Sequence, residues 1–379
     1  MKIAAVICEY NPFHNGHKYQ IQEIKKEYDA VVAIMSGSFV QRGELAVFDK
    51  WTRAKTALIN GVDLVIELPV CYALNTAERF AFGGVQTAIS TGVADALVFG
   101  SESGNIKALI SSAKTLNDEP EEVSKKIKAY MEQGLSYPSA REKAYAGLIP
   151  ESLLLEPNNI LALEYIKELL KNNADIQPVT IKRIGARYNE TEFSGELNSA
   201  SGIRKRLEKG EDISVYIPDN TLEILKKSQK YDTEKLFPYI KYAVISREDV
   251  SKINDVREGL ENRIISAVKT AKNYNEMLNL IKTKRYTMSS IKRILLAILL
   301  KQSKNTAQNK PEYLRILGMN SMGKNILKKM KKKNNLPIVI KTADFSSPML
   351  DLDILATDIA SLAVGEELGR DYKISPVII

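Results

Sequence analysis

The stretch Ile3-Ala4-Ala5-Val6-Ile7-Cys8-Glu9-Tyr10-Asn11-Pro12-Phe13-His14-Asn15-Gly16-His17 decides how the chain reads. Its first six residues are continuously apolar, as a strand covered on both faces must be. Glu9 ends that run, and a short turn leads into a helical pattern opening at Gly16. His14 and His17 are the only histidines in the chain. Spaced three apart at a helix start, they fall on roughly one face. Gly16 between them admits a close backbone approach. A helix N-terminus adds unpaired N–H groups and partial positive charge. Together these make a phosphate-binding device at the end of a strand. A zinc site begun by the two histidines and Cys8 lacks the further ligands an ordinary one needs. The other thiol, Cys71, lies inside an apolar segment, so no protein metal site is expected.

Outward from this turn, further short apolar runs predict strands at residues 30–35, 63–66 and 95–99. Helical patterns fill the gaps at 16–28, 50–60 and 77–91. Strand and helix alternating in this way predict an α/β fold, a Rossmann-like parallel sheet with helices on both faces. Such sheets bind ligands at the carboxyl ends of their strands. Beyond Gly100 the pattern predicts helices at 106–116, 121–134, 138–146 and 158–170. A strand follows at 176–184, then an aperiodic polar loop at 188–198 and a helix at 199–209. After Pro218 the pattern is almost wholly helical, with one strand-like run at 336–340. The expected division is a Rossmann-like domain over 1–217 and a mainly helical domain over 218–379.

The 379 residues suggest two or three domains, and 44% apolar with 26% charged residues is ordinary for a soluble globular chain. Two cysteines exclude a disulfide scaffold. The longest apolar run, Ile294 to Leu300, has seven residues, whereas a membrane span needs about 18. The first apolar run is too short for a signal peptide, and the expectation is a cytoplasmic protein. The net charge of +8 is uneven: residues 281–341 hold 16 Lys/Arg against one acid, Glu312. Lys282, Lys284, Arg285, Lys292 and Arg293 form one cluster, and Lys328, Lys329 and Lys332 belong to a second. This is the footprint of a polyanion-binding surface, and these eight residues are its expected phosphate contacts.

A strand, then His-x-Gly-His, then a helix resembles the nucleotidyltransferase superfamily. An ordered series narrows the resemblance: the run from Val6 to Gln20, Met35-Ser36-Gly37-Ser38-Phe39-Val40-Gln41-Arg42-Gly43-Glu44, Lys50-Trp51-x-Arg53, Asp63 to Pro69, Phe99-Gly100-Ser101-Glu102, Pro157 to Leu161, and Ala200-Ser201-x-Ile203-Arg204. End to end, the chain resembles the tRNA(Met) cytidine acetate ligase family. That resemblance implies ATP, acetate and elongator tRNA(Met) as substrates, with acetyl-adenylate as intermediate. It implies transfer to N4 of the wobble cytidine, with release of AMP and pyrophosphate. It assigns the nucleotide to Ile7 through His17, with Gly100, Asn158, Asn159, Arg183 and Ser201. Phosphoryl chemistry needs positioning and charge cancellation, for which His14, His17, Lys50 and Arg204 are the expected catalytic groups, with Arg53 near Lys50. Asn158 reads equally well as a helix N-cap. Met35 to Phe39 is the candidate acyl pocket. A Mg2+ ion would enter with the nucleotide, and neither a membrane nor a protein partner is required. Two rivals stand beside this reading. A small-molecule nucleotidyltransferase has no use for the basic segment. A non-catalytic RNA-binding protein has no use for the histidine turn.

Overall fold

Ala4 and Val6 of the first strand, β1 (Ile3–Cys8), face one layer, Ala5 faces the other, and all three are sealed from solvent. That two-sided burial explains the unbroken apolar run and places β1 in the middle of a sheet. The computed structural model describes every residue except 184–198, 247–249, 254–255, 257–258, 303–305 and 335. In it β1 pairs in parallel with β2 (Ala30–Ser36), and the short hairpin β3 (Phe39–Val40) and β4 (Glu44–Leu45) follows. β5 (Leu64–Leu68) pairs with β2, β6 (Ala96–Ser101) with β1, and β7 (Gln177–Lys182) with β6, all parallel. The order β5-β2-β1-β6-β7 is the expected Rossmann-like arrangement.

Helices Asn15–Ile24 and Lys50–Ile59 cover one face, burying Ile21, Ile24, Ala54 and Leu58 against Val6, Val31 and Ala33. Helices Ala77–Thr91 and Pro157–Lys171 cover the other, through Val85, Ala88, Leu163 and Ile166 against Ala5, Ile34 and Leu97. The sequence predicts Ala77–Thr91 with the observed bounds. Thr76 caps its start through the Arg79 N–H, and Gly92, at φ 65°, ends it in the left-handed conformation.

The chain does not divide at residue 217 as its pattern suggests. β8 (Leu314–Met319) pairs antiparallel with β5, β9 (Ile338–Val339) pairs with β8, and β10 (Val377–Ile378) extends the edge. The last third of the chain thus completes the N-terminal sheet. Among the described residues, helices Phe237–Ser246, Leu260–Thr270, Tyr274–Ile281 and Met288–Leu299 pack on one another as a bundle, and their buried face joins the core that also holds Ala5 and Ile34. The physical reason is that Arg315 and Gly318 break the apolar run of β8, so it lacks the continuous pattern that marks β1 and β2. Helix Ser321–Lys333 packs Ile326, Leu327 and Met330 against Ile3, Ala30, Val32 and Leu64, at the amino ends of the strands. The predicted loop at 188–198, and residue 184 of the predicted strand, lie outside the described residues. Among the described residues no helix is long and apolar enough to cross a membrane.

Candidate active site

A cavity of ≈ 440 Å³ opens at the carboxyl ends of the parallel strands. Ile7 to Asn11 line it from the end of β1, and Gln41 and Arg42 from the β3–β4 hairpin after β2. Gly100 contributes from β6, and Lys182 and Arg183 from the end of β7. Gly16, His14 and His17 from the first helix, and Ser199, Ser201 and Arg204 from helix Ala200–Lys209, complete the polar part.

The first helix fixes the two imidazoles. His14 is its N-cap: its Nδ1 accepts the Gly16 N–H at 3.0 Å, while His17 Nδ1 accepts the His14 N–H at 3.3 Å. This is a capping box built from histidines. The rings stack with centroids 3.7 Å apart, and Tyr10 packs edge-on against His17 at 4.9 Å. Burial, then the positive charges of Arg183 and Arg204, push His14 down to about 3. Burial, then His14 and Arg183, hold His17 well below the usual histidine range. Both imidazoles are therefore neutral near pH 7. Each Nδ1 is an acceptor, so the single proton of each ring sits on Nε2. The cavity is thus offered two fixed N–H donors without a charged imidazole. A Cβ on Gly16 would stand 2.8 Å from His14 Cε1, so only glycine leaves that ring in place.

Arg204 donates to the Asn11 carbonyl at 2.9 Å and to Ser201 Oγ at 3.4 Å. The N-cap of its helix is Ser199, whose Oγ accepts the Gly202 N–H. Ser201 therefore sits inside the first turn, lining the cavity. A Cβ on Gly100 would lie 3.3 Å from Arg183 Cγ, so the bare backbone keeps that wall open. Asn158 lines the cavity but is not an N-cap. Glu102, two residues beyond Gly100, accepts the N–H groups of Asn158 and Asn159 at 3.2 and 2.8 Å and the Asn158 side chain at 2.5 Å. Cys8 also lines the cavity, and burial pushes its thiol well above the usual range.

Several expected residues are elsewhere. Lys50 is fully buried and bridges Glu67 at 2.8 Å and Asp371 at 2.8 Å, while Arg315 bonds the same two acids at 3.1 and 2.6 Å. Lys50 thus joins a buried cluster of four charges at β5 and β8, and it does not line the cavity. Arg53 is buried too. It donates to the carbonyls of Glu9 (2.7 Å), Ser36 (3.0 Å), Gly37 and Phe48 (3.0 Å), tying together the loops after β1 and β2. Burial lowers it to about 10, which leaves it charged. Asn159 is buried outside the cavity, bonded to Glu156 and Ser152. Pro12 and Phe13 pack inward, and the Asn15 side chain donates to the Val215 carbonyl. Met35, Ser36, Gly37, Ser38 and Phe39 are buried and do not line the cavity; Gln41 and Arg42, just beyond them, do. Their position could have been inferred from the hairpin following a strand end.

The basic segment splits in two. Lys292 pairs with Glu44 at 2.6 Å and Arg293 donates to the Gln41 carbonyl at 3.2 Å, so both brace the hairpin on the cavity side. Lys282 donates to the Thr283 carbonyl, and Lys284 and Arg285 are exposed. Lys328, Lys329 and Lys332 are exposed on the helix at the opposite, amino end of the sheet. Among the described residues no three His, Cys, Asp or Glu are grouped to hold a metal.

This geometry has close counterparts. The model of the HIGH Nucleotidyl Transferase family matches residues 1–373. A tRNA(Met) cytidine acetate ligase of Thermoanaerobacter sp. (strain X514) is 43% identical, covering 100% of each chain. One from Clostridium kluyveri (strain ATCC 8527 / DSM 555 / NBRC 12016 / NCIMB 10680 / K1) is 41% identical, covering 100% of this chain and 99% of its own. The structure of Thermotoga maritima TmcAL bound with alpha-thio ATP is 34% identical over the whole of both chains, with a TM-score of 0.91. The apo form gives 0.93. A His-x-Gly-His turn at a strand end, a cavity at the carboxyl edge and full-length similarity agree: the chain belongs to the HIGH nucleotidyl transferase family, among the tRNA(Met) cytidine acetate ligases.

Proposed function

We propose that this chain binds ATP in the cavity, activates acetate as acetyl-adenylate and transfers the acetyl group to N4 of the wobble cytidine of elongator tRNA(Met). In the first step a carboxylate oxygen of acetate bonds to the α-phosphorus, the bond to the bridging oxygen breaks, and pyrophosphate leaves with the electron pair. His14 and His17 donate their Nε2 protons as hydrogen bonds to the α-phosphate oxygens, and Arg204 with Ser201 meets the departing pyrophosphate. In the second step the cytidine N4 bonds to the acetyl carbon and AMP leaves; the amine loses one proton. Gly100, Asn158 and Arg183 hold the adenosine side. Lys284 and Arg285, exposed and shortly before the hairpin-bracing Lys292 and Arg293 in sequence, supply phosphate contacts to the RNA.

The observation that carries this reading is the stacked pair of neutral imidazoles between Arg183 and Arg204. Donors of that kind stabilise charge developing on phosphate oxygens and do not need to titrate. The test is exchange of labelled pyrophosphate into ATP, with acetate and tRNA added singly and together. Exchange is expected with acetate alone, and N4-acetylcytidine only when tRNA is added. His17→Ala removes one donor, and a loss of about 10²–10³ in exchange rate is expected. An unchanged rate in that variant rejects the assignment.

A further inference from the structure

The cavity has two ends, and strand order fixes them. β6 and β7 supply Gly100 and Arg183 at one end, and the turn after β1 brings His14 and His17 to the middle. The far end, on the β2 side, is lined by Gln41 and Arg42 of the hairpin and by Ala77 and Phe80 at the start of helix Ala77–Thr91. Displacement at a phosphorus is in line, so attacking and leaving oxygens lie on opposite sides. With the adenosine on the β6–β7 side and pyrophosphate leaving toward Ser201 and Arg204, the β2 end remains for the attacking acid.

We propose that this end is the acyl subsite: Arg42 binds the carboxylate of a short-chain carboxylic acid, and Ala77 and Phe80 close over its alkyl group. The proposal rests on the adenylation reading above and adds the residues that choose the acid. A carboxylate brought beside a triphosphate is repelled by it, so a cation is needed there. Among the described lining residues Arg42 is the cation at this end, and a guanidinium matches a carboxylate bidentately.

The hairpin carrying Arg42 is held from both sides. The Gln41 N–H donates to Glu9 Oε1 at 2.8 Å, and Gln41 Nε2 to the Asn75 carbonyl at 3.3 Å. Behind it, Gly43, at φ 79°, meets helix Met288–Leu299 so closely that a Cβ would stand 2.6 Å from the Arg293 backbone nitrogen. Phe80 is 2% exposed and forms a firm wall. Such a wall discriminates by chain length, one methylene being worth roughly 10- to 200-fold. The acyl end is also the end braced by Lys292 and Arg293 of the basic segment, which places the activated acyl group on the side where RNA contacts are expected.

The experiment measures ATP affinity by calorimetry and pyrophosphate exchange against sodium acetate and, separately, sodium propionate concentration, in wild type, Arg42→Ala, Arg42→Lys and Ala77→Val. Arg42→Ala is expected to raise the acetate KM roughly 10- to 100-fold and to change ATP affinity less than about twofold, a difference below the worth of one hydrogen bond. Arg42→Lys is expected to recover part of the acetate KM. Ala77→Val is expected to reduce kcat/KM for propionate about tenfold more than for acetate. An unchanged acetate KM in Arg42→Ala overturns the proposal, as does parallel loss of ATP affinity, which would put Arg42 on the nucleotide. If wild type itself binds no ATP, or exchanges pyrophosphate without acetate, the adenylation reading fails, and this is seen before any variant is made.

Discussion

The rings of His14 and His17 lie 3.7 Å apart, a spacing that two imidazolium ions would oppose strongly in a buried site. Stacking therefore fits neutral rings, and burial, with the positive charge of Arg183 beside it, pushes both pKa values down. The chain has only these two histidines, so the NMR signals of their ring Cε1 protons can be read without ambiguity. Neither is expected to titrate between pH 5 and 8, since His14 is held at about 3. A titration midpoint near 6.5 in either ring would overturn the neutral-donor assignment. In the unfolded chain both protonate near pH 6.5. Their contribution to stability is thus complete above that pH and is lost as pH falls below it, because the unfolded state then binds more protons. Lys50 shows the limit of a residue-by-residue reading. Its position at a helix start beside the motif suggests a phosphate ligand, but its partner Asp371 comes 321 residues later and only the fold brings them together. Lys50→Met is expected to destabilise the protein by about 3–5 kcal/mol by leaving buried acids short of charge, read from the denaturant midpoint, with ATP affinity unchanged. Lost ATP affinity at unchanged stability would return Lys50 to the phosphates.

Elements joined by one side chain carry the nucleotide wall. Helix Pro157–Lys171 has Glu156 at its N-cap with no side-chain cap bond, and the carboxylate that serves its first turn is Glu102, from the end of β6. A carboxylate at that position both satisfies free N–H groups and opposes the helix dipole. The local sequence Pro157-Asn158-Asn159 correctly marks a helix start, but it does not reveal that the cap comes from another element. β8 is obscured for a related reason: its neighbours β5 and β10 are remote in sequence, and so are Glu67 and Asp371, the acids that let Arg315 stand inside its buried run. Helix Ala77–Thr91, whose cap and stop are its own neighbours Thr76 and Gly92, was fully legible. Glu102→Ala is expected to cost about 1 kcal/mol of stability and to weaken ATP binding as well, since Asn158 loses the carboxylate that holds it. Calorimetry and denaturant unfolding check the two effects. Unchanged ATP affinity would show that Asn158 keeps its place without Glu102.

Across the whole molecule, the sheet separates two basic surfaces that composition alone merges into one. The seven residues of β2 span about 20 Å at a strand's rise per residue. The cavity lies at one end of that span, and the lysine face of helix Ser321–Lys333 lies at the other. That helix starts beside Asp63, where Asn320 donates to the Asp63 side chain at 2.9 Å, and it ends beside Gly92; both precede strands of the parallel set. Charge counting found the segment, but it could not assign its halves to opposite edges, because β8 runs antiparallel to β5 and carries the chain from the helical bundle back to the amino ends. Lys284 and Arg285 shortly precede Lys292 and Arg293, which brace the hairpin on the cavity side. Reversing Lys284 and Arg285 to Glu is therefore expected to reduce acetyl transfer more than tenfold and to flatten the dependence of log affinity on log salt by about 0.7–0.9 per lost contact. Reversing Lys328, Lys329 and Lys332 to Glu is expected to change acetyl transfer less than about threefold, as neutralising remote phosphates adds only general affinity. Acetate-dependent pyrophosphate exchange without tRNA should survive both sets, since none of these five side chains lines the cavity. A larger loss from the Lys328 set would mean that the RNA extends around the sheet and that the amino edge is part of the productive surface.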